Sequence, residues 1–107
     1  MSIKFMRMLV LFDLPMETSQ EKREYTKFRK YLIKSGFVML QKSVYSRLVV
    51  NANSASRIID NIQQNKPKSA GYVQVLCVTE AQFAKMVTIE GKSDSKYIDT
   101  TDMVVIV

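Results

Sequence analysis

The sequence has no histidine at all. That excludes the commonest general base, the commonest transition-metal ligand and every nucleophile arranged as Ser-His or Cys-His. Cysteine is nearly absent: Cys77 is the single one. It sits in an apolar alternation with nothing to pair with, so it reads as a core residue in a reducing compartment. Only two prolines and three glycines interrupt the chain, too few for a disordered or collagen-like segment. No apolar run approaches the ~20 residues that cross a membrane. The run after Lys4 and Arg7 is short and lacks a small-residue cleavage site, so no signal peptide is predicted. Any hydrolysis by this chain has to lean on carboxylates and a hard metal ion.

What is present is a 107-residue chain, 47% hydrophobic, the size of one domain that buries roughly two-thirds of its unfolded surface. Residues 1–47 carry ten Lys/Arg against four Asp/Glu, while residues 48–107 carry six of each. The whole excess of +6 therefore falls in the first half. A one-sided basic surface of this kind suits a polyanion such as nucleic acid, although a solvated face has the same composition.

Ile3 to Leu14 reads as a first strand, with hydrophobicity continuous enough to imply burial on both faces. It ends on Asp13, and Pro15 stops it. Thr18-x-x-Glu21 is a capping-box pattern that opens a helix from Ser19 to Ser35, closed by Gly36. On that helix Tyr25, Phe28 and Leu32 share one face. Arg23, Lys27, Lys30 and Lys34 share the opposite one, flanked by Lys22 and Arg29. Such a stripe is most often a plain solvated face, and four cations in register with no interleaved acid shift the reading toward a row of phosphate contacts.

Phe37–Leu40 and Ser43–Val50 read as two antiparallel strands with Gln41-Lys42 at the bend. In the second, Tyr45, Arg47 and Val49 share one face. Asn51 to Ser54 supplies capping side chains for a second helix whose inner stripe is Ala55, Ile58, Ile59 and Ile62. Tyr72–Val78 is a valine-rich strand. Thr79-x-x-Gln82 is a second capping box that opens a short helix through Lys85. Met86–Ile89 predicts a short strand, Gly91–Lys96 a polar loop, and Met103–Val107 a last strand.

The order β-α-β-β-α-β is the ferredoxin-like arrangement in the α+β class, one antiparallel sheet with two helices on one face. Residues 3–80 form the core of this single domain, and residues 81–107 form a C-terminal extension. The sheet's other face is left uncovered although strand one is apolar on both sides, so a homodimer stacking sheet on sheet is expected. The terminal strand is expected to join a sheet edge, that of the same copy or of the other.

With the elements placed, the chain resembles the CRISPR-associated "Cas two" family, the small adaptation-stage proteins found beside the integrase "Cas one". The likeness rests on Phe12-Asp13-Leu14-Pro15 at the tip of strand one and on Tyr25-Thr26-Lys27-Phe28-Arg29-Lys30-Tyr31-Leu32 in helix one. It rests also on Gln41-Lys42-Ser43-Val44-Tyr45 in the hairpin and on Val78-Thr79-Glu80-Ala81-Gln82-Phe83. It looks closest to type II-A members and covers residues 3 to about 90. Phe12 stands where many members have tyrosine.

The resemblance implies a symmetric dimer in which two copies of Asp13 face each other. It implies catalysis and metal binding by that pair, with Mg²⁺ or Mn²⁺ held by two carboxylates and waters. From the residues alone Asp13 reads first as a strand-end acid that caps the next turn, and it is the resemblance that raises the metal-ligand reading above that. Arg23, Lys27, Lys30 and Lys34 would hold flanking phosphates, with Ser43 and Tyr45 as minor polar contributors. The implied partners are a second copy, the integrase and double-stranded DNA, with RNA as a further substrate class, in a prokaryotic cytoplasm. Two functions follow: a metal-dependent endonuclease through Asp13, or a scaffold that bridges integrase dimers without chemistry of its own. An RNA-recognition module on the same fold is disfavoured, because Lys42-Ser43-Val44-Tyr45-Ser46-Arg47 holds one ring where that module pairs aromatics.

Overall fold

A computed structural model describes residues 5–69 and 71–91. The elements run β1 (Met6–Asp13), α1 (Ser19–Lys34), β2 (Val38–Gln41), β3 (Val44–Val49), α2 (Ala52–Gln64), β4 (Tyr72–Thr79) and α3 (Glu80–Ala84). The strands form one antiparallel sheet in the order β2-β3-β1-β4. This is the ferredoxin-like α+β fold expected from the pattern.

Alternation along β1 sorts the residues into layers. Met8, Val10 and Phe12 point inward and meet Tyr25, Phe28 and Leu32 of α1 and Ile62 of α2. Each fully buried aromatic or aliphatic side chain in this layer contributes about 1.5–3 kcal/mol. Arg7, Leu9, Leu11 and Asp13 fall on the other face, where β1 is flanked in register by β3 and β4.

The helix ends follow their caps. Thr18 and Glu21 satisfy each other's backbone amides in a full capping box, and so do Thr79 and Gln82. Asn51 Oδ1 accepts from the Ser54 amide at 2.8 Å to start α2. At the far end of α1, Phe37 N–H donates to the Leu32 carbonyl and Gly36 N–H to that of Ile33. That Schellman pair needs Gly36 at φ +93°, a conformation most side chains avoid. Arg47 reinforces the cap by donating to the Ser35 carbonyl at 2.6 Å. An arginine on the inner face of β3 is thus consumed by the helix terminus.

Three expectations are corrected. The β2–β3 bend lies at Lys42-Ser43, one residue later than predicted, because a register shift between Met39 and Gln41 inserts an extra residue in β2. Met86–Ile89 is not a strand. Its composition suits one, but a strand exists only through its ladder, and no described strand pairs with it. The outer sheet face is not wholly bare. Arg7 forms a two-point ion pair with Glu80, with N–O distances of 2.9 and 3.0 Å. Its guanidinium lies 4.5 Å from the centre of the Phe83 ring, so α3 folds over the end of that face where β1 begins. The terminal strand expected at Met103–Val107, and residues 92–96 of the predicted loop, lie outside the described residues.

Candidate carboxylate site and nucleic-acid interface

Asp13 is exposed at the last position of β1. What holds it there is the residue before it. Phe12 is buried, with ring centroids 5.3 Å from Phe28 and 5.7 Å from both Tyr25 and Tyr45. With Phe12 pinned inward, the pleat turns Asp13 to the outer face. The ring at position 12 is therefore a core group, and a tyrosine hydroxyl there would belong to the aromatic cluster.

The strand tip is also set by Gly71, which sequence reasoning missed. A Cβ at Gly71 would lie 2.7 Å from the Asp13 carbonyl oxygen and 2.9 Å from Leu14 Cδ2. Only glycine lets β4 begin this close to the end of β1. The visible signal was a lone glycine directly before a valine-rich strand.

No group of three or more His, Cys, Asp or Glu side chains able to hold a metal exists among the described residues. Asp13 is therefore part of no three-ligand cluster among the described residues, and a single carboxylate is one of the set a hard cation takes.

Arg23, Lys27, Lys30 and Lys34 are all exposed on α1, on the side turned from Tyr25, Phe28 and Leu32. The structure thus brings the four cations together but does not bring them to Asp13. The carboxylate lies on the sheet face away from the helices, and the stripe lies on the helices' far side. Of the flanking pair, Lys22 is exposed, whereas Arg29 is half-buried and donates from Nε to the Tyr45 hydroxyl at 2.8 Å.

Tyr45 itself is fully buried on the helix side. Ser43 is half-buried in the hairpin turn, and its carbonyl accepts from the Phe12 amide at 3.1 Å. Tyr25 donates from its hydroxyl to the Lys42 carbonyl at 2.9 Å, which ties α1 to the same turn. In the protomer both minor candidates support the strand that carries Asp13. Cys77 is a half-buried core thiol, pushed above its ordinary pKa by burial.

A groove of about 490 Å³ runs between α1 and the α2–β4 loop, lined by Arg23, Glu24, Lys27, Lys66 and Lys68 among others. Glu24 spans it. Its Oε1 accepts from the Lys68 amide at 2.6 Å, the Ser69 amide at 2.8 Å and the Ser69 hydroxyl at 3.2 Å. The Ser69 amide, then that of Lys68, hold this carboxyl below its ordinary value. Glu24 escaped sequence reasoning because its partners are 44 and 45 residues away, and no local pattern announces them.

The outer sheet face is apolar. Val38, Leu48, Leu76 and Tyr72 are 46%, 47%, 53% and 71% exposed. At its centre Ser46 Oγ is buried and has no hydrogen-bond partner among the described residues.

The family model described as CRISPR associated protein Cas2 matches residues 6–86. The relatives named CRISPR-associated endoribonuclease Cas2 include the following three. The one from Treponema denticola is 50% identical over 101 residues, covering 94% of this chain and 99% of the relative. The one from Ligilactobacillus salivarius is 44% identical over 101 residues, with coverage of 94% and 99%. The one from Streptococcus mutans UA159 is 40% identical over 100 residues, with coverage of 94% and 91%. The matched span runs from the first residue of β1 past the end of α3, and it takes in Asp13, the stripe and the groove; the chain belongs to the CRISPR-associated Cas2 family.

Proposed function

We propose that this protein works in CRISPR adaptation as a homodimer stacked sheet on sheet, which cuts phosphodiester bonds with two Asp13 carboxylates and binds duplex DNA along α1. The observation that carries this reading is the outer sheet face. It is apolar, it holds a buried Ser46 hydroxyl with no partner among the described residues, and Asp13 stands at its rim. A second copy covering that face answers the exposed apolar surface and supplies the second carboxylate.

Two carboxylates and waters suit Mg²⁺ or Mn²⁺, and the donor chemistry of Asp13 fits such an ion. When bound, the ion supplies Lewis-acid polarisation of the scissile phosphate. The chain's own part is to hold Asp13 at a fixed height, through Phe12 packed beneath it and Gly71 beside it. The exposed lysines and arginine of α1 neutralise backbone phosphates, with RNA as a substrate class beside double-stranded DNA, in keeping with the relatives' endoribonuclease name. The protein is placed by this reading in a prokaryotic cytoplasm, and among the described residues no helix is long and apolar enough to cross a membrane.

The test is metal-dependent cleavage by Asp13→Ala in a preparation cleared of contaminating nuclease. Cleavage is expected to fall to background while the dimer and duplex binding persist. Cutting at the unmodified rate would end the catalytic assignment.

A second reading has its own support. The stripe and Asp13 lie on opposite sides of the protomer, so binding and cleavage need not share a ligand. In that reading the dimer is a scaffold that bridges integrase dimers, and Asp13→Ala leaves spacer acquisition unchanged.

A further inference from the structure

We propose that Glu24 is a positioning residue that holds the α2–β4 loop across α1, so that Lys66 and Lys68 complete a two-walled groove for a phosphodiester backbone. This deepens the reading of α1 as a nucleic-acid surface and rests on it. One wall is Arg23 and Lys27 on α1, and the other is Lys66 and Lys68 on the loop.

Three observations converge. First, none of these four cations forms an ion pair among the described residues, where the ion pair present is Arg7–Glu80. Four positive charges around one groove, against Glu24 as the one acid among its lining residues, leave it net positive and favour a polyanionic occupant. Second, the loop is held in place. Pro67 fixes its own φ and restricts Lys66 before it, and one carboxylate oxygen of Glu24 takes two consecutive backbone amides and a hydroxyl. Third, the acid in the groove is already occupied. Its Oε1 is turned to the loop backbone, so the charge that opposes a phosphate is spread over donors, and the lysine ammonium groups stay free to face the groove. Pre-ordering the loop lowers the entropy lost when a backbone docks.

The positioning role makes a prediction of opposite sign to plain electrostatics. Removing a negative charge from a basic groove should tighten binding to a polyanion. Removing the clamp should loosen it, because Lys66 and Lys68 lose their place. Glutamine keeps an acceptor oxygen for the loop amides and loses only the charge.

The experiment is fluorescence anisotropy of a short labelled DNA duplex across a salt series, using the full chain. K66Q/K68Q is expected to lower the slope of log K against log salt by close to 2, at about 0.9 per lost phosphate contact. Glu24→Ala is expected to weaken binding and lower the slope in the same direction. Glu24→Gln is expected to keep the original slope and bind at least as tightly. Thermal melts check that each surface variant is folded. Tighter binding by Glu24→Ala, a Glu24→Gln variant as weak as the alanine, or an unchanged slope in K66Q/K68Q overturns the proposal. R23Q/K27Q/K30Q/K34Q separates the two levels. If it leaves the slope unchanged, the α1 surface itself is not the interface. If it lowers the slope while the loop variants do not, only the role of the loop and Glu24 is lost.

Discussion

The two faces of the sheet are built from the same strands and meet opposite fates. On the inner face Met8, Val10, Phe12, Tyr45 and Val49 disappear beneath α1 and α2. On the outer face Val38, Leu48 and Leu76 are comparably apolar and remain about half exposed. α3 closes only one end, where Arg7, Glu80 and Phe83 meet. Composition therefore does not distinguish the covered face from the exposed one among the described residues. The difference is whether the chain carries its own cover. The inner face does, and it fixes the frame. The outer face is left open by the described residues, and Asp13 is at its rim.

The sharpest way to break this comparison is to damage each face in turn. Phe28→Ala on the inner side should cost about 3–5 kcal/mol, since it empties a buried site lined by rings. Leu76→Glu on the outer side should leave protomer stability nearly unchanged and separate the copies, so that sedimentation reports a single chain. If Leu76→Glu unfolds the protein as Phe28→Ala does, the outer face is core after all and needs no second copy.

A smaller effect is expected at the seam between the faces. In Gly71→Ala the added methyl carbon meets the Asp13 carbonyl oxygen at 2.7 Å, so the ends of β1 and β4 must part at a cost of about 1–3 kcal/mol. Cleavage should drop far more than the melting temperature suggests, because the displaced residue is Asp13. Equal losses in both would leave Gly71 with a purely structural role.

The mildest expected effect is acid loosening of the helix-side loop. The carboxyls of Glu24 and Glu21 lie below the ordinary value of 4.5, chiefly through the Ser69 and Thr18 amides respectively. Their folded-state values are depressed, so their stabilisation is fully present above that ordinary value and is lost as the pH falls through the depressed one. Protection of the Lys68 and Ser69 amides from exchange, relative to the intrinsic rate at each pH, should therefore fall in acid before that of the sheet amides does. A loop that loosens only together with β1 would show that the clamp is not an independent element.

Much of this was legible beforehand, for reasons that differ by element. The capping boxes at Thr18 and Thr79 are local, because donor and acceptor lie within one turn, and both formed as read. The inner stripe of α1 follows from the helical period, and so does the outward stripe of four cations. The strand order followed from the pattern of elements rather than from any one of them. Where reasoning from the sequence slipped, the cause was distance along the chain. The Met86–Ile89 segment looked like a strand because propensity is local and pairing is not. Arg47 looked like one more face residue of β3, while its guanidinium serves a helix end twelve residues away.

Asp13 shows the division most clearly. That a carboxylate ends an apolar strand, is stopped by Pro15 and precedes a basic helix is written in adjacent residues, and the sequence alone determined it. Which face that carboxylate occupies was decided by the packing of Phe12 among Tyr25, Phe28 and Tyr45. How close its strand comes to β4 was decided by the missing side chain at Gly71. That the cations of α1 lie across the protomer from Asp13 was decided by the layering of helices on sheet. These are contacts between distant parts of the chain, and such contacts acquire an energy only once the chain has folded.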